Sequence, residues 1–133
     1  MKYVLDTHTW IWWHVAPHHL PPSVIKCIKN INTDGNLILS QLSVWEFCKL
    51  LEKKRIGISC DPEEWINKAL AMTHLTLMPL TPHIAYKSTT LPQPFHNDPA
   101  DQIIVATARK EGATILTKDA RMHTYPHVKT LWN

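Results

Sequence analysis

The chain has 133 residues, of which 44% are hydrophobic and 19% charged, with a formal net charge of +3 and a pI near 8.8. That is enough for one domain, residues 1–133, with a real core and too little for two, and the composition excludes a disordered chain. The small positive excess suits a polyanionic partner without singling one out.

Lys2-Tyr3-Val4-Leu5 reads as a strand ending at Asp6-Thr7, either of which can cap a helix that runs through Val15 and stops at Pro17. Pro21-Pro22 opens a second helix, roughly 23–30, with Val24, Ile25 and Ile28 on one face. Asp34-Gly35-Asn36 is a turn before the buried strand Leu37-Ile38-Leu39. A long helix is predicted from Ser40 to Arg55, ended by Gly57, with Leu42, Trp45, Cys48 (or Lys49) and Leu51 as its apolar face. Asp61-Pro62 caps and opens a further helix carrying Trp65, Ala69 and Met72. Leu75 to Leu80 alternates like a strand, and Thr81-Pro82 starts a short helix through Tyr86. Asp98-Pro99 opens a helix that Gly112 closes; Thr114 to Thr117 is a strand ending in Lys118-Asp119, and Val128 to Trp132 forms a fifth. Strands alternating with helices predict an α/β fold, a mainly parallel sheet of about five strands covered on both faces.

Cys27, Cys48 and Cys60 are odd in number and lack C-x-x-C spacing, so they are expected to be reduced, buried thiols of a cytoplasmic protein. None of the nine histidines has a partner at zinc-site spacing. No apolar run of about twenty residues and no small-residue cleavage site is present, so neither membrane spanning nor secretion is expected. Lys49, Lys53, Lys54 and Arg55 form a basic cluster, read first as a solvated helix face and second as a phosphate contact.

The acids carry the chemistry. In an open parallel sheet, ligands bind beyond the carboxyl ends of the strands, near the point where strand order reverses. Asp6 follows the first strand and Asp119 the fourth, with Thr117 at that strand's end. Glu46 lies within about 10 Å of the start of the helix after strand two. Asp98 and Asp101 reach the same edge if the loop 93–97 carries the helix start back over it. Each acid also has a purely structural role open to it: Asp6 and Asp98 as caps, Asp119 in a turn, Glu46 closing a capping box from Ser43. Together, several carboxylates in one cleft repel and are comfortable only around a cation. Oxygen ligands favour Mg²⁺ or Mn²⁺, which can activate water against a phosphodiester.

These motifs, in order, resemble the PIN domain family: Lys2 to His8 with Trp12-Trp13, Ser43-Val44-Trp45-Glu46, Asn97-Asp98-Pro99-Ala100-Asp101 with its apolar continuation, and Ile115 to Asp119. The similarity is greatest to the VapC-type toxins of toxin–antitoxin pairs and covers essentially the whole chain. It implies a PIN-like three-layer α/β/α fold and a small Mg²⁺- or Mn²⁺-dependent endoribonuclease acting on RNA. It also implies a cognate antitoxin and commonly a homodimer. By position, Asp6, Glu46, Asp101 and Asp119 match the family's acidic quartet, as both catalytic and metal-binding residues. Asp98, Thr7 and Thr117 match accessory positions. Asn97 is a departure, since similar sequences often carry Arg there. The alternatives are a non-catalytic PIN-like binding module and a receiver-type phosphoacceptor domain. The latter needs paired acids after strand one and an Asp ending the middle strand, where this chain has Asp6 alone and Pro79-Leu80.

Overall fold

The computed structural model describes residues 1–133. Five strands, β1 (Tyr3–Leu5), β2 (Leu37–Ser40), β3 (Leu75–Met78), β4 (Thr114–Leu116) and β5 (Lys129–Leu131), form one all-parallel sheet in the order β3-β2-β1-β4-β5. Seven helices cover it: α1 (Thr7–Val15), α2 (Pro22–Lys29), α3 (Gln41–Glu52), α4 (Pro62–Leu70), α5 (Pro82–Thr89), α6 (Pro99–Glu111) and α7 (Ala120–His123). Receiver domains follow the doubly wound order 2-1-3-4-5. Here β1 pairs with β4, so the phosphoacceptor alternative is excluded by topology.

The central strands β1, β2 and β4 are short and largely apolar on both sides because both sides are buried, while the edge strands β3 and β5 are partly exposed. Val4, Ile38 and Ile115 face Ile84 of α5, Ile104 and Val105 of α6, and Met122 of α7. Leu5, Leu37, Leu39 and Leu116 face Trp10 and Ile11 of α1, Val24 and Ile28 of α2, Phe47 of α3 and Ala69 of α4. The three-layer α/β/α expectation is met.

Side chains cap five helices at the sheet's carboxyl edge: Asp6 for α1, Ser40 for α3, Thr81 for α5, Asp98 for α6 and Asp119 for α7. Gly112, at φ 62°, takes the left-handed position that ends α6, where a side chain would be strained.

Several sequence expectations are corrected. The helix α3 ends at Glu52 rather than Arg55, because Lys54 (φ 56°), not Gly57, adopts the left-handed turn. Its buried positions are Ser43 and Phe47, while Trp45 is 57% exposed and Cys48 is also exposed. Phe47 wins the inward position by stacking on Trp65, ring centroids 4.1 Å apart and planes 11° from parallel. Cys60 is exposed as well and Cys27 only half-buried, so the thiols are not core residues. A 3₁₀ turn at Pro17–His19 and the short α7 were not foreseen.

The orientation of α3 makes a direct prediction for urea denaturation. Phe47→Ala should cost about 3–5 kcal/mol, whereas Trp45→Ala should stay within about 0.5 kcal/mol. Equal losses would mean that the helix is turned the other way.

Candidate active site

The strand order reverses between β1 and β4, and the polypeptide leaves both strands into a cavity of about 660 Å³. Its lining includes Asp6, Glu46, Asp98, Asp101 and Asp119. Every acid singled out from the sequence thus reaches one cavity. Asp98 and Asp101 arrive because the segment between α5 and α6 climbs back to the carboxyl edge before α6 descends.

Asp6 stands at the junction of β1 and α1. Its backbone N–H donates to Leu116 O (3.2 Å), tying it to the end of β4. One carboxylate oxygen caps Thr7 N (2.8 Å); the other accepts from Thr117 Oγ1 (2.7 Å), 111 residues away. The Asp119 N–H in turn donates to Thr117 Oγ1 (3.0 Å). Thr7 is buried and bridges to α3: its hydroxyl is hydrogen-bonded to Ser43 Oγ (2.9 Å) and donates to Glu46 Oε1. Glu46 therefore faces the cavity from the helix interior, and Ser43 serves Thr7, not a capping box. Ser40 already caps α3.

Asp101 is 8% exposed. Its N–H is capped by Asp98 (3.0 Å), and its Oδ2 meets His96 Nε2 at 2.7 Å and Arg121 Nη2 at 3.3 Å. Arg121 Nη2 also binds Asp119 Oδ2 at 3.1 Å. Asp119 caps α7 through Arg121 N (2.8 Å). His96 and Arg121 were not among the sequence candidates. The Asp119-x-Arg121 spacing at a helix start was the only available hint, while His96 lies in a loop with no periodic pattern. Arg55, Lys118, His8 and Trp12 complete the lining, with Thr9 beneath them.

The charges are uncomfortable. Burial pushes the Asp6 carboxyl up, against the hydrogen bonds from Thr117 and Thr7. Burial likewise raises Glu46 to about 7, with Asp6, Asp101 and Asp98 adding repulsion against the Thr7 hydrogen bond. Asp101 is raised to about 6 by burial and by its acidic neighbours, despite His96. Asp119 is also raised by partial burial, but the Arg121 hydrogen bonds outweigh this and hold it below the usual carboxylate range.

Such an oxygen-only donor set suits a hard divalent cation. No three His, Cys, Asp or Glu side chains close into a direct cage.

Residues 3–128 match the PIN domain family, and the chain belongs to it. Over 131 residues it is 30% identical to Ribonuclease VapC22 of Mycobacterium tuberculosis, covering 97% of each protein. Among solved structures, DNA-bound VapBC from Salmonella typhimurium has a TM-score of 0.67 at 18% identity, over 98% of this chain and 97% of that one. VapBC2 from Rickettsia felis, bound to a promoter DNA fragment, has a TM-score of 0.66 at 18% identity over 100% of both. FitAcB from Neisseria gonorrhoeae gives 0.65 at 18% identity, over 99% of this chain and 97% of that one. At this identity the solved structures establish the shared fold.

The raised carboxyls set a pH dependence for the metal-free protein. An acid whose folded pKa exceeds its unfolded value binds a proton more tightly when folded. Its penalty is absent below the unfolded pKa and grows as pH rises through the folded one. With Glu46 moved from 4.5 to about 7 and Asp101 from 3.8 to about 6, stability falls across that window. By scanning calorimetry, Tm should be higher at about pH 5 than at about pH 8, and Glu46→Gln should flatten the slope. Saturating Mg²⁺ should raise Tm more at the higher pH. A metal-free Tm that climbs with pH would contradict the assignment.

Proposed function

We propose that this chain is a Mg²⁺- or Mn²⁺-dependent endoribonuclease of the VapC type, a toxin kept inactive by a cognate antitoxin. The carrying observation is the set of five carboxylates, delivered by four separate elements to one cavity at the sheet's switch point, in a PIN domain 30% identical to a ribonuclease. The antitoxin partner is supported by the fold shared with the VapBC complexes. A homodimer and a cytoplasmic setting belong to the same reading.

In this reading Asp6, Glu46 and Asp101 hold the ion, directly or through water, and Asp119 completes the set or helps hold a second. The bound cation supplies Lewis-acid neutralisation of the phosphodiester and of the oxygen that leaves. The protein's own groups do the rest. Thr117 fixes one oxygen of Asp6 and leaves the carboxylate facing the cavity. Thr7 fixes Glu46. Held in this way at the cavity wall, Glu46 is the carboxylate placed to take the proton of the attacking water. The water oxygen bonds to phosphorus as the bond from phosphorus to the leaving oxygen breaks. The proton taken from the water is made good at the leaving oxygen, and the other stays on the new phosphate or passes to solvent. Arg121, already bridging Asp101 and Asp119, is placed to meet the phosphate's charge when a cation takes over those carboxylates.

Purified protein should cleave RNA when Mn²⁺ or Mg²⁺ is added and stop when the ion is chelated. Asp6→Asn, which retains the helix cap, should lose on the order of 10²–10³ in rate. Equal cleavage by the two proteins would reject the assignment. Thr7→Val should lower kcat by about 10–100-fold, since it frees Glu46 without removing a carboxylate. An unchanged kcat would remove Thr7 from the positioning set.

A further inference from the structure

Carboxylates make up only part of the cavity's lining; another part is aromatic and takes no share in holding an ion. His8 is exposed in the first turn of α1, and Trp12 follows it by one turn on the same helix face. Both line the cavity, with ring centroids 5.6 Å apart. The aromatic surface continues outward. The His19 ring lies 5.0 Å from Trp12 with planes 33° apart, and His18 lies 4.4 Å further on at 35°. Both histidines are exposed. Lys118, the residue before Asp119, holds its Nζ 5.9 Å from the Trp12 ring centroid.

Trp12 also packs against the core edge, where Trp132 lies 6.1 Å away. Packing accounts for that edge. It does not account for exposed imidazoles lined up with the indole, or for a lysine over it beside an acidic cavity. A row of π faces with a cation alongside is the surface that unpaired bases and their phosphates recognise.

We propose that His8 and Trp12, with Lys118 beside them, form a nucleobase-stacking subsite that holds an unpaired base next to the phosphate being cleaved. The proposal rests on the ribonuclease reading and adds to it where a base is gripped. A duplex hides the faces of its bases, so the subsite selects looped or single-stranded RNA. The stacked base fixes the register of the strand, and Lys118 meets its phosphate.

The test uses the full chain carrying Asp6→Asn, so that RNA stays intact, and a fluorescently labelled single-stranded RNA oligomer in Mg²⁺. Anisotropy should give a Kd about tenfold weaker for added Trp12→Ala, with Trp12→Phe restoring most of the loss. His8→Ala, at an exposed position, should weaken binding by a smaller factor. Oligomers made abasic at one nucleotide at a time should contain one position whose removal costs the same tenfold. At that position Trp12→Ala should cost nothing more. If Trp12→Ala does not fold, Trp12→Leu and His8→Ala decide, since each keeps the packing and loses a ring. An equal loss by Trp12→Ala on every abasic oligomer would mean a structural effect and overturn the subsite. So would unchanged affinity in Trp12→Leu and His8→Ala. A protein with Asp6 intact that cleaves RNA normally despite these substitutions would remove the subsite alone. One that neither binds nor cleaves RNA would remove the ribonuclease reading with it.

Discussion

Asp6 sits where the central strand stops, and its negative charge is the constraint around which that end of the molecule is built. The chain cannot move it elsewhere, because β1 is paired on both sides and buried on both faces. It is stabilised locally instead. Thr117 and the Thr7 N–H each donate to one of its oxygens. The starts of α1, α3, α6 and α7 turn their positive ends to the same edge. These partial charges do not cancel four further acids, and burial leaves Asp6, Glu46 and Asp101 reluctant to ionise. The electrostatic deficit is local, and a divalent cation is the simplest thing that closes it.

The hydroxyl side chains give this edge its order. Thr7 and Thr117 are buried, each touching a carboxylate, and each joins two elements far apart in sequence. Between them they link α1 to α3 and β1 to the end of β4. Where Thr7 and Thr117 fix Asp6 and Glu46, His96 and Arg121 fix Asp101 and Asp119. Asp6 and Glu46 are thus held by neutral hydroxyls, Asp101 by an imidazole and a guanidinium, and Asp119 by the same guanidinium. Asp6, Glu46 and Asp101 are all pushed up by burial and are the three whose ionisation a cation would ease, whereas Arg121 already holds Asp119 down.

Much of this was legible in the sequence, for reasons that differ by element. Strands buried on both faces read as unbroken apolar runs, and the Asp-Pro and Thr-Pro openings marked α4, α5 and α6 to within a residue. Asp6, Asp98, Asp101 and Asp119 were legible because they follow strands or open helices, positions fixed by local chemistry. Glu46 was legible because it lies within two turns of the start of α3. What failed depended on tertiary competition. The inward face of α3 was misread because Trp45 and Phe47 are both large and apolar. Partners distant in sequence, Trp10 and the stacked Trp65, decide between them. The cysteines read as buried thiols from their odd number and spacing, which do not encode the direction each side chain takes in the fold. His96 was missed because a loop position acquires meaning only when the fold brings it to Asp101. The shared edge of Asp98 and Asp101 hinged on a return loop whose path no periodicity encodes.

The hydrogen bond between Thr117 and Asp6 spans 111 residues, and it has a consequence for synthesis on the ribosome. Strand β1 emerges early but lacks one of its two neighbours until β4 has been made, and Asp119 emerges later still. Pairings of such long range form slowly and only once most of the polypeptide is present. A nascent chain therefore carries its acids as scattered side chains, and they come together as a single pocket only after Asp119 has been made.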